Sequence, residues 1–273
     1  MCVAFWTLEQ PDYALILCSN RDEFLGRPTR DAALHDFGHG GQARILSGRD
    51  ALAGGTWLGM NVASGRVALL TNITEPPQSY PASRGALVAA VLQSHSSPPA
   101  SPPRPPPRSR PSSPRSSPPP RPSRASTSSR SPCARPTPAL HYAAARLSNG
   151  GGGAPIHARP LRADERAGGA LSNGVDPEGD AWPKVVAGRA AFAAAVAQHA
   201  SAPRRRRHGA RRALFGVLMT TAPAPVTQRA DLRHTVHVAP LALAGGALYA
   251  TRLATVLLVR RDGGALFVER DVW

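Results

Sequence analysis

The chain has 273 residues, 42% of them apolar, with 29 Pro, 25 Gly and a formal charge of +16. That is enough apolar material for one real core, but no apolar run approaches the roughly 20 residues of a membrane helix, which excludes a helical spanning protein. Three Cys in so long a chain exclude a disulfide scaffold and fit a reducing compartment.

The first residues are apolar but lack a basic opening region. Glu9, Pro11 and Asp12 interrupt them, which argues against a cleaved secretory signal. Residues 3–8 read as a short strand, 9–12 as a turn and 13–18 as a second strand, together a hairpin. Residues 45–46, 56–60 and 67–71 read as further strands, punctuated by Gly54–Gly55 and Ser64–Gly65. Ser83 is placed to cap a helix through Leu92, with Leu87, Val88, Val91 and Leu92 on one stripe.

Residues 95–138 break the pattern. Of these 44 residues, 16 are Pro, 13 Ser and 8 Arg, with no acid. Such a segment buries too little apolar surface to offset its ordering entropy, so a disordered insert is expected. A GC-rich intron or a wrong reading frame would encode the same composition. An arginine–serine RNA-binding segment is a third reading, weakened by the lack of interleaved aromatic residues. Residues 204–212 hold 6 more Arg and no acid; taking these fourteen from sixteen leaves +2 for the rest of the chain. Lys184 is the only Lys, so Arg usage follows a coding bias more than selection for charge.

Beyond the insert, Asn149 opens a Gly-rich turn, and residues 185–199 and 210–219 read as helices. Residues 235–238, 247–251, 255–259 and 265–268 read as strands, with a hairpin turn at Asp262–Gly263–Gly264. Strands at both ends with helices between them point to an α+β fold.

Cys2 carries the most chemistry. Removal of the initiator Met would leave a Cys with a free α-amine, whose ordinary pKa lies near working pH. That amine can accept the thiol proton, placing nucleophile and base in one residue. The hairpin brings Ser19–Asn20–Arg21–Asp22–Glu23–Phe24 back beside the first strand. Arg21 would then favour the thiolate, and Asp22 would hold the ammonium or position Arg21. A plain surface Arg–Asp–Glu turn is the competing reading.

Met1–Cys2, then Asn20–Arg21–Asp22–Glu23–Phe24 with Arg27–Pro28, then Gly54–Gly55–Thr56–Trp57–Leu58–Gly59 resemble the Transport and Golgi organisation protein 2 family, also called NRDE. Leu70–Thr71–Asn72, Ser83–Arg84–Gly85, Leu171–Ser172–Asn173 and Trp182–Pro183–Lys184 resemble its next blocks in order. Tyr249–Ala250–Thr251–Arg252 through Thr255–Val256, and Phe267–Val268–Glu269–Arg270, resemble its last strands. The resemblance spans 1–94 and roughly 141–273, which makes 1–94 and 139–273 two halves of one domain around the 95–138 insert.

The resemblance implies a four-layer αββα sandwich of the N-terminal-nucleophile hydrolase type. Within that type it is similar to the cysteine branch that cleaves penicillin V and conjugated bile salts. Carried over residue by residue, Cys2 stands as nucleophile and Arg21 and Asp22 near that branch's Arg and Asp. Asn72 and Asn173 take the oxyanion-stabilising positions and Arg252 the late Arg. Two departures stand out. The family's Gly–Phe–Asn–Leu block is replaced by the insert, which would remove central strands and expose sheet edges, and Tyr249–Ala250 replaces Tyr–Gly.

Other residues are uncommitted. His234 and His237 are three apart, which on a strand sends them to opposite faces, and no carboxylate or Cys partners are near. His35 and His39 fall in a Gly-rich loop. Residues 204–207 read as a solvated Arg loop, or as a contact for anionic lipid, acyl-CoA phosphates or nucleic acid. Trp57 and Trp182 read as core or pocket wall.

Three functions follow, in order. The first, implied by the resemblance, is a ligand-binding scaffold in Golgi organisation and secretion, or in haem and lipid (acyl-CoA) trafficking. The second is a cysteine hydrolase of a linear amide, and the third an RNA-associated basic protein. The expected partner is a hydrophobic or anionic small ligand, haem or acyl-CoA among them, with peripheral contact to an anionic membrane. Nucleic acid is disfavoured, and no cofactor or metal is expected. The expected location is cytoplasmic, with Golgi or mitochondrial association.

Overall fold

The computed structural model describes residues 1–40, 44–75, 83–94, 139–150, 154–175, 178–199, 207–243 and 245–273. The expected insert 95–138 and Arg204, Arg205 and Arg206 lie outside the described residues. Met1–Ser94 and Ala139–Trp273 together make one compact unit.

The first half runs β1 (Val3–Thr7), β2 (Tyr13–Phe24), β3 (Thr29–His35), β4 (Ile45–Asp50), β5 (Leu58–Asn61), β6 (Val67–Leu69) and α1 (Gly85–Gln93). The second runs β7 (Ala145–Ser148), β8 (His157–Pro160), α2 (Ala163–Gly168), β9 (Gly169–Leu171), α3 (Pro183–His199) and α4 (Arg207–Leu218). It closes with β10 (Leu241–Ala242), β11 (Leu248–Arg260) and β12 (Ala265–Asp271). All strand pairing is antiparallel: one sheet has the order β10-β11-β2-β1-β9 with β12 also on β11, a second the order β3-β4-β5-β6, and β7 pairs β8 alone. The fold is α+β.

β2 organises the core because its apolar run is buried on both faces. On one face Ile16 and Cys18 join Val3, Phe5 and Val256, covered by Val185 and Phe192 of α3 and Leu214 and Leu218 of α4. On the other face Leu15 and Leu17 join Trp6, Leu253 and Leu257 and meet Trp57, Leu58 and Met60 of the second sheet. The far side of that sheet carries α1, through Ile45, Val88 and Leu92. Gly55 and Gly85 bring this sheet and α1 together: a Cβ on Gly55 would lie 2.5 Å from the Gly85 carbonyl carbon.

Several expectations need correction. β2 does not stop at Cys18 but continues to Phe24, so Asn20–Phe24 is strand, and Arg21 and Asp22 are 6% and 5% exposed. The surface-turn reading therefore falls. The two late runs expected as separate strands are one 13-residue strand, β11, with a bulge between Thr251 and Leu253. Residues 235–238 are irregular, not strand. The edge of β11 that they meet is already taken by β10 and β12, and they reach it only around Thr251, whose N donates to Val238 O (2.9 Å) and whose Oγ1 accepts from Val238 N (2.8 Å), among the described residues.

Ser83 gives α1 no side-chain cap; its backbone oxygen accepts from Ala86 N (2.9 Å). Val88 and Leu92 are buried, but Leu87 and Val91 of the same expected stripe are exposed, because the helix meets the sheet along one narrow i, i+4 line. His35 lies in β3, not in a loop, with Nε2 2.9 Å from Ser47 Oγ. The centre of the larger sheet, β1, β2 and β11, is built from the two chain ends. Ala250 is fully buried within β11 and has no positive φ, so a Cβ is tolerated where the family has Gly.

Candidate functional site

The pairing of β1 with β2 sets Val3 opposite Asn20, so residues 1 and 2 lie alongside Arg21 and Asp22. Asp22 faces the helix-covered side. Its Oδ2 is 2.6 Å from the α-amine of Met1, and its Oδ1 accepts from Thr251 Oγ1 (2.6 Å). The same amine is 2.6 Å from Tyr249 Oη, and that hydroxyl donates to Asp22 O (3.3 Å). The Cys2 thiol donates to Asp22 O (3.8 Å), and the Cys2 carbonyl accepts from Ser172 Oγ (2.8 Å). Lys184, 1% exposed near the start of α3, donates from Nζ to the carbonyl oxygen of Met1 (2.6 Å). The Met1 side chain is buried, with Thr74 Oγ1 3.1 Å from its sulfur.

Burial dominates the electrostatics. It would raise the Asp22 carboxyl, but the neighbouring amine, Lys184 and Thr251 hold it below the usual carboxylate range. Burial lowers the Met1 amine despite Asp22, and pushes Lys184 down to about 8. Burial and the Asp22 charge push the Cys2 thiol up, while the amine and Arg21 pull the other way. Burial thus favours the protonated thiol of Cys2, beside an amine and a lysine whose protons burial loosens.

The six predicted site residues divide. Cys2 and Asp22 are together, and Asp22 holds an ammonium, that of residue 1. Arg21 acts on Cys2 only through space: its guanidinium lies 4.2 Å above the Trp57 ring, donates to Thr29 Oγ1 (3.2 Å) and pairs with Glu23 (3.6 Å) and Asp50 (3.9 Å). Asn72 and Asn173 are adjacent, but Asn173 Nδ2 donates to the Asn72 backbone oxygen, and Thr74 N donates to Asn173 O (2.7 Å). Asn173 Oδ1 is buried without a partner, and neither amide donates to the residue 1–2 junction among the described residues. Arg252 is engaged elsewhere: it donates to Leu25 O (2.6 Å) and Arg27 O (3.2 Å) and pairs with Asp271 (3.3 Å), clamping the turn after β2.

Lys184, Tyr249, Thr251 and Ser172 were missed as site residues. Lys184 carried a signal, being the single Lys in a chain whose other 32 basic residues are Arg. Trp57 and Trp182 are buried, as core or wall. His237 stacks on Trp273 with ring centres 5.7 Å apart, and its Nε2 is buried without a partner. Among the described residues no three His, Cys, Asp or Glu converge as for a metal. No helix among them is long and apolar enough to cross a membrane.

The profile of the family described as Transport and Golgi organisation 2 matches residues 1–102 and 155–273. The chain belongs to that family. All six predicted site residues and Lys184 fall within the matched ranges. The mouse Transport and Golgi organization 2 homolog is 42% identical over 103 residues, covering 34% of this chain and 36% of the mouse protein. The human Transport and Golgi organization protein 2 homolog is 41% identical over 101 residues (34% and 35%), and the Drosophila melanogaster Transport and Golgi organization protein 2 is 41% identical over 99 residues (33% and 34%). The chain spans about a third of the length of the curated relatives it matches. The family match omits 103–154, which contains most of the Pro/Ser/Arg-rich segment.

Proposed function

We propose that this chain carries a cysteine acyl site of the N-terminal-nucleophile type, in a four-layer αββα sandwich, which cleaves a linear amide once residue 1 has been removed from Cys2. One observation carries the reading: a thiol, a buried carboxylate and a buried ammonium converge on the junction between residues 1 and 2. Removal of Met1 frees the Cys2 amine beside Asp22 and vacates a buried volume next to the sulfur. The amine takes the thiol proton, and the thiolate attacks the amide carbon, forming the C–S bond. Collapse breaks the C–N bond, and the leaving amine takes the proton. Water then cleaves the thioester, releasing a carboxylic acid and restoring the thiol.

The test is mass spectrometry of the mature N-terminus, together with acylation of Cys2 by a nitrophenyl ester. A protein beginning at Cys2 that acylates at this sulfur, and loses acylation in Cys2→Ala, supports the reading. A protein beginning at Cys2 that never acylates overturns it.

The relatives' names, which speak of transport and Golgi organization, favour a second reading, a scaffold supporting Golgi organisation; we propose that under it the chain also supports secretion and binds a hydrophobic or anionic small ligand such as haem or acyl-CoA. It would work at the cytoplasmic side of Golgi or mitochondrial membranes, with the Arg run of residues 204–207 as a contact for anionic lipid. Under this reading Cys2→Ala binds its ligand as the parent does.

A further inference from the structure

We propose that Lys184 is a catalytic residue of the Cys2 site, donating from its buried ammonium to the acyl oxygen that gathers negative charge when the thiolate attacks. The inference rests on the reading of Cys2 as nucleophile and adds a residue to it. Lys184 Nζ ends 2.6 Å from the Met1 carbonyl oxygen, two bonds from the Cys2 nitrogen. It therefore already donates to an acyl oxygen beside the nucleophile, in the position an oxyanion donor must take.

The side chains expected in this role are committed elsewhere. Asn173 donates to the Asn72 backbone, and Arg252 to the turn after β2. Stability does not account for Lys184 either. No ion pair of Lys184 is found within 4 Å among the described residues, and Asp22, the carboxylate whose charge reaches it, is bonded to the Met1 amine and Thr251. A buried ammonium held by a carbonyl is dearer than a hydrocarbon of the same shape. The residue type is also singular, since every other basic position in the chain is Arg. A guanidinium would bring five donors into a space that offers one carbonyl, whereas an ammonium fits as a compact point charge.

In the proposed step the thiolate forms a bond to the acyl carbon. The carbonyl π pair moves to the oxygen, which is held by a hydrogen bond from Nζ. The pair returns as the C–N bond breaks, and the leaving nitrogen takes the proton that the Cys2 amine had received from the thiol. Lys184 gives up no proton over the cycle.

The test compares two reactions of the same sulfur in the full chain beginning at Cys2. Acylation by 4-nitrophenyl acetate passes through an oxyanion; alkylation by iodoacetamide does not. Lys184→Met is expected to slow acylation about 100-fold and to leave alkylation within about threefold. Lys184→Gln, which keeps a neutral donor, is expected to recover part of the loss and serves if the Met variant does not fold. Equal slowing of both reactions in the folded variant means a structural role and overturns the proposal, as does unchanged acylation. A parent chain that is alkylated but never acylated sinks the Cys2 reading itself, a result distinct from both.

Discussion

The guanidinium carbon of Arg21 lies over the Trp57 ring, 4.2 Å from its centre, and ties the central strand of one sheet to the entry of β5 in the other. Both side chains are buried, so the pair is a structural joint as well as a source of positive charge felt at Cys2. Trp57→Ala removes a large ring from the inter-sheet cluster and leaves a buried cation without its platform. A loss of about 3–5 kcal/mol is expected in urea denaturation. Trp57→Phe keeps an aromatic face and should lose less than half of that; equal losses would mean that the stacking adds nothing.

Asp22 is the counter-charge for the amine of residue 1 and lies near Lys184, so Asp22→Asn leaves buried cations uncompensated. The expected loss is about 3–5 kcal/mol at pH 7. The folded carboxyl sits below its unfolded value near 3.9, so its contribution is present above that pH and lost as the pH falls through the folded value. Acid denaturation followed by circular dichroism should therefore lose its steepest part in the Asn variant. An unchanged acid limb would mean that other carboxylates set it.

Lys184 gives a dependence of the same sign in a more alkaline window. The unfolded lysine keeps its proton to about pH 10.4, while the folded one releases it near 8. Between these values the unfolded chain binds more protons, so stability rises with pH across that window. Lys184→Met should abolish the rise and stabilise the fold at pH 7 by about 1–3 kcal/mol, while impairing acylation. A variant that loses both stability and the pH trend would mean that the ammonium anchors the chain start.

The hairpin of β1 and β2, the helices α3 and α4 and the β11–β12 turn were legible because apolar runs, Ala-rich segments and Asp–Gly–Gly each carry a local signal. The Asn20–Phe24 block was not, because charged residues inside a strand look like a turn until two neighbouring strands bury them. β3 and the β7–β8 hairpin have no apolar alternation, and β9 owes its existence to pairing with β1, a contact remote in sequence. Cys2 and Asp22 were found from hairpin geometry. Arg252 is the bulged residue of β11, and its side chain is bonded to the 25–27 turn, a contact the strand pattern does not signal. Lys184 was visible as a departure from the chain's own Arg usage and within the Trp182–Pro183–Lys184 block, but neither signal assigned it a role.

Glu269 supplies the last test. Its side chain enters the space between the sheets, where Thr255 Oγ1 donates to Oε2 (2.9 Å) while Oε1 is buried without a partner. Burial pushes its carboxyl up to about 7, against the pull of Thr255, Trp57 and Arg21. The folded value lies above the unfolded value of about 4.3, so the protonated form stabilises the fold fully below pH 4.3, and that contribution is lost as the pH rises to about 7. Glu269→Gln mimics the protonated form and should flatten stability across pH 4.3–7, leaving the variant the more stable at pH 8. The same crowding predicts that Gly48→Ala destabilises by about 1–3 kcal/mol, because the added Cβ would sit 2.6 Å from both Glu269 Oε1 and Trp57 Cζ2. If Glu269→Gln shows the parent's pH slope, this carboxyl is ionised in the fold, and Arg21 is its counter-ion rather than a charge directed at Cys2.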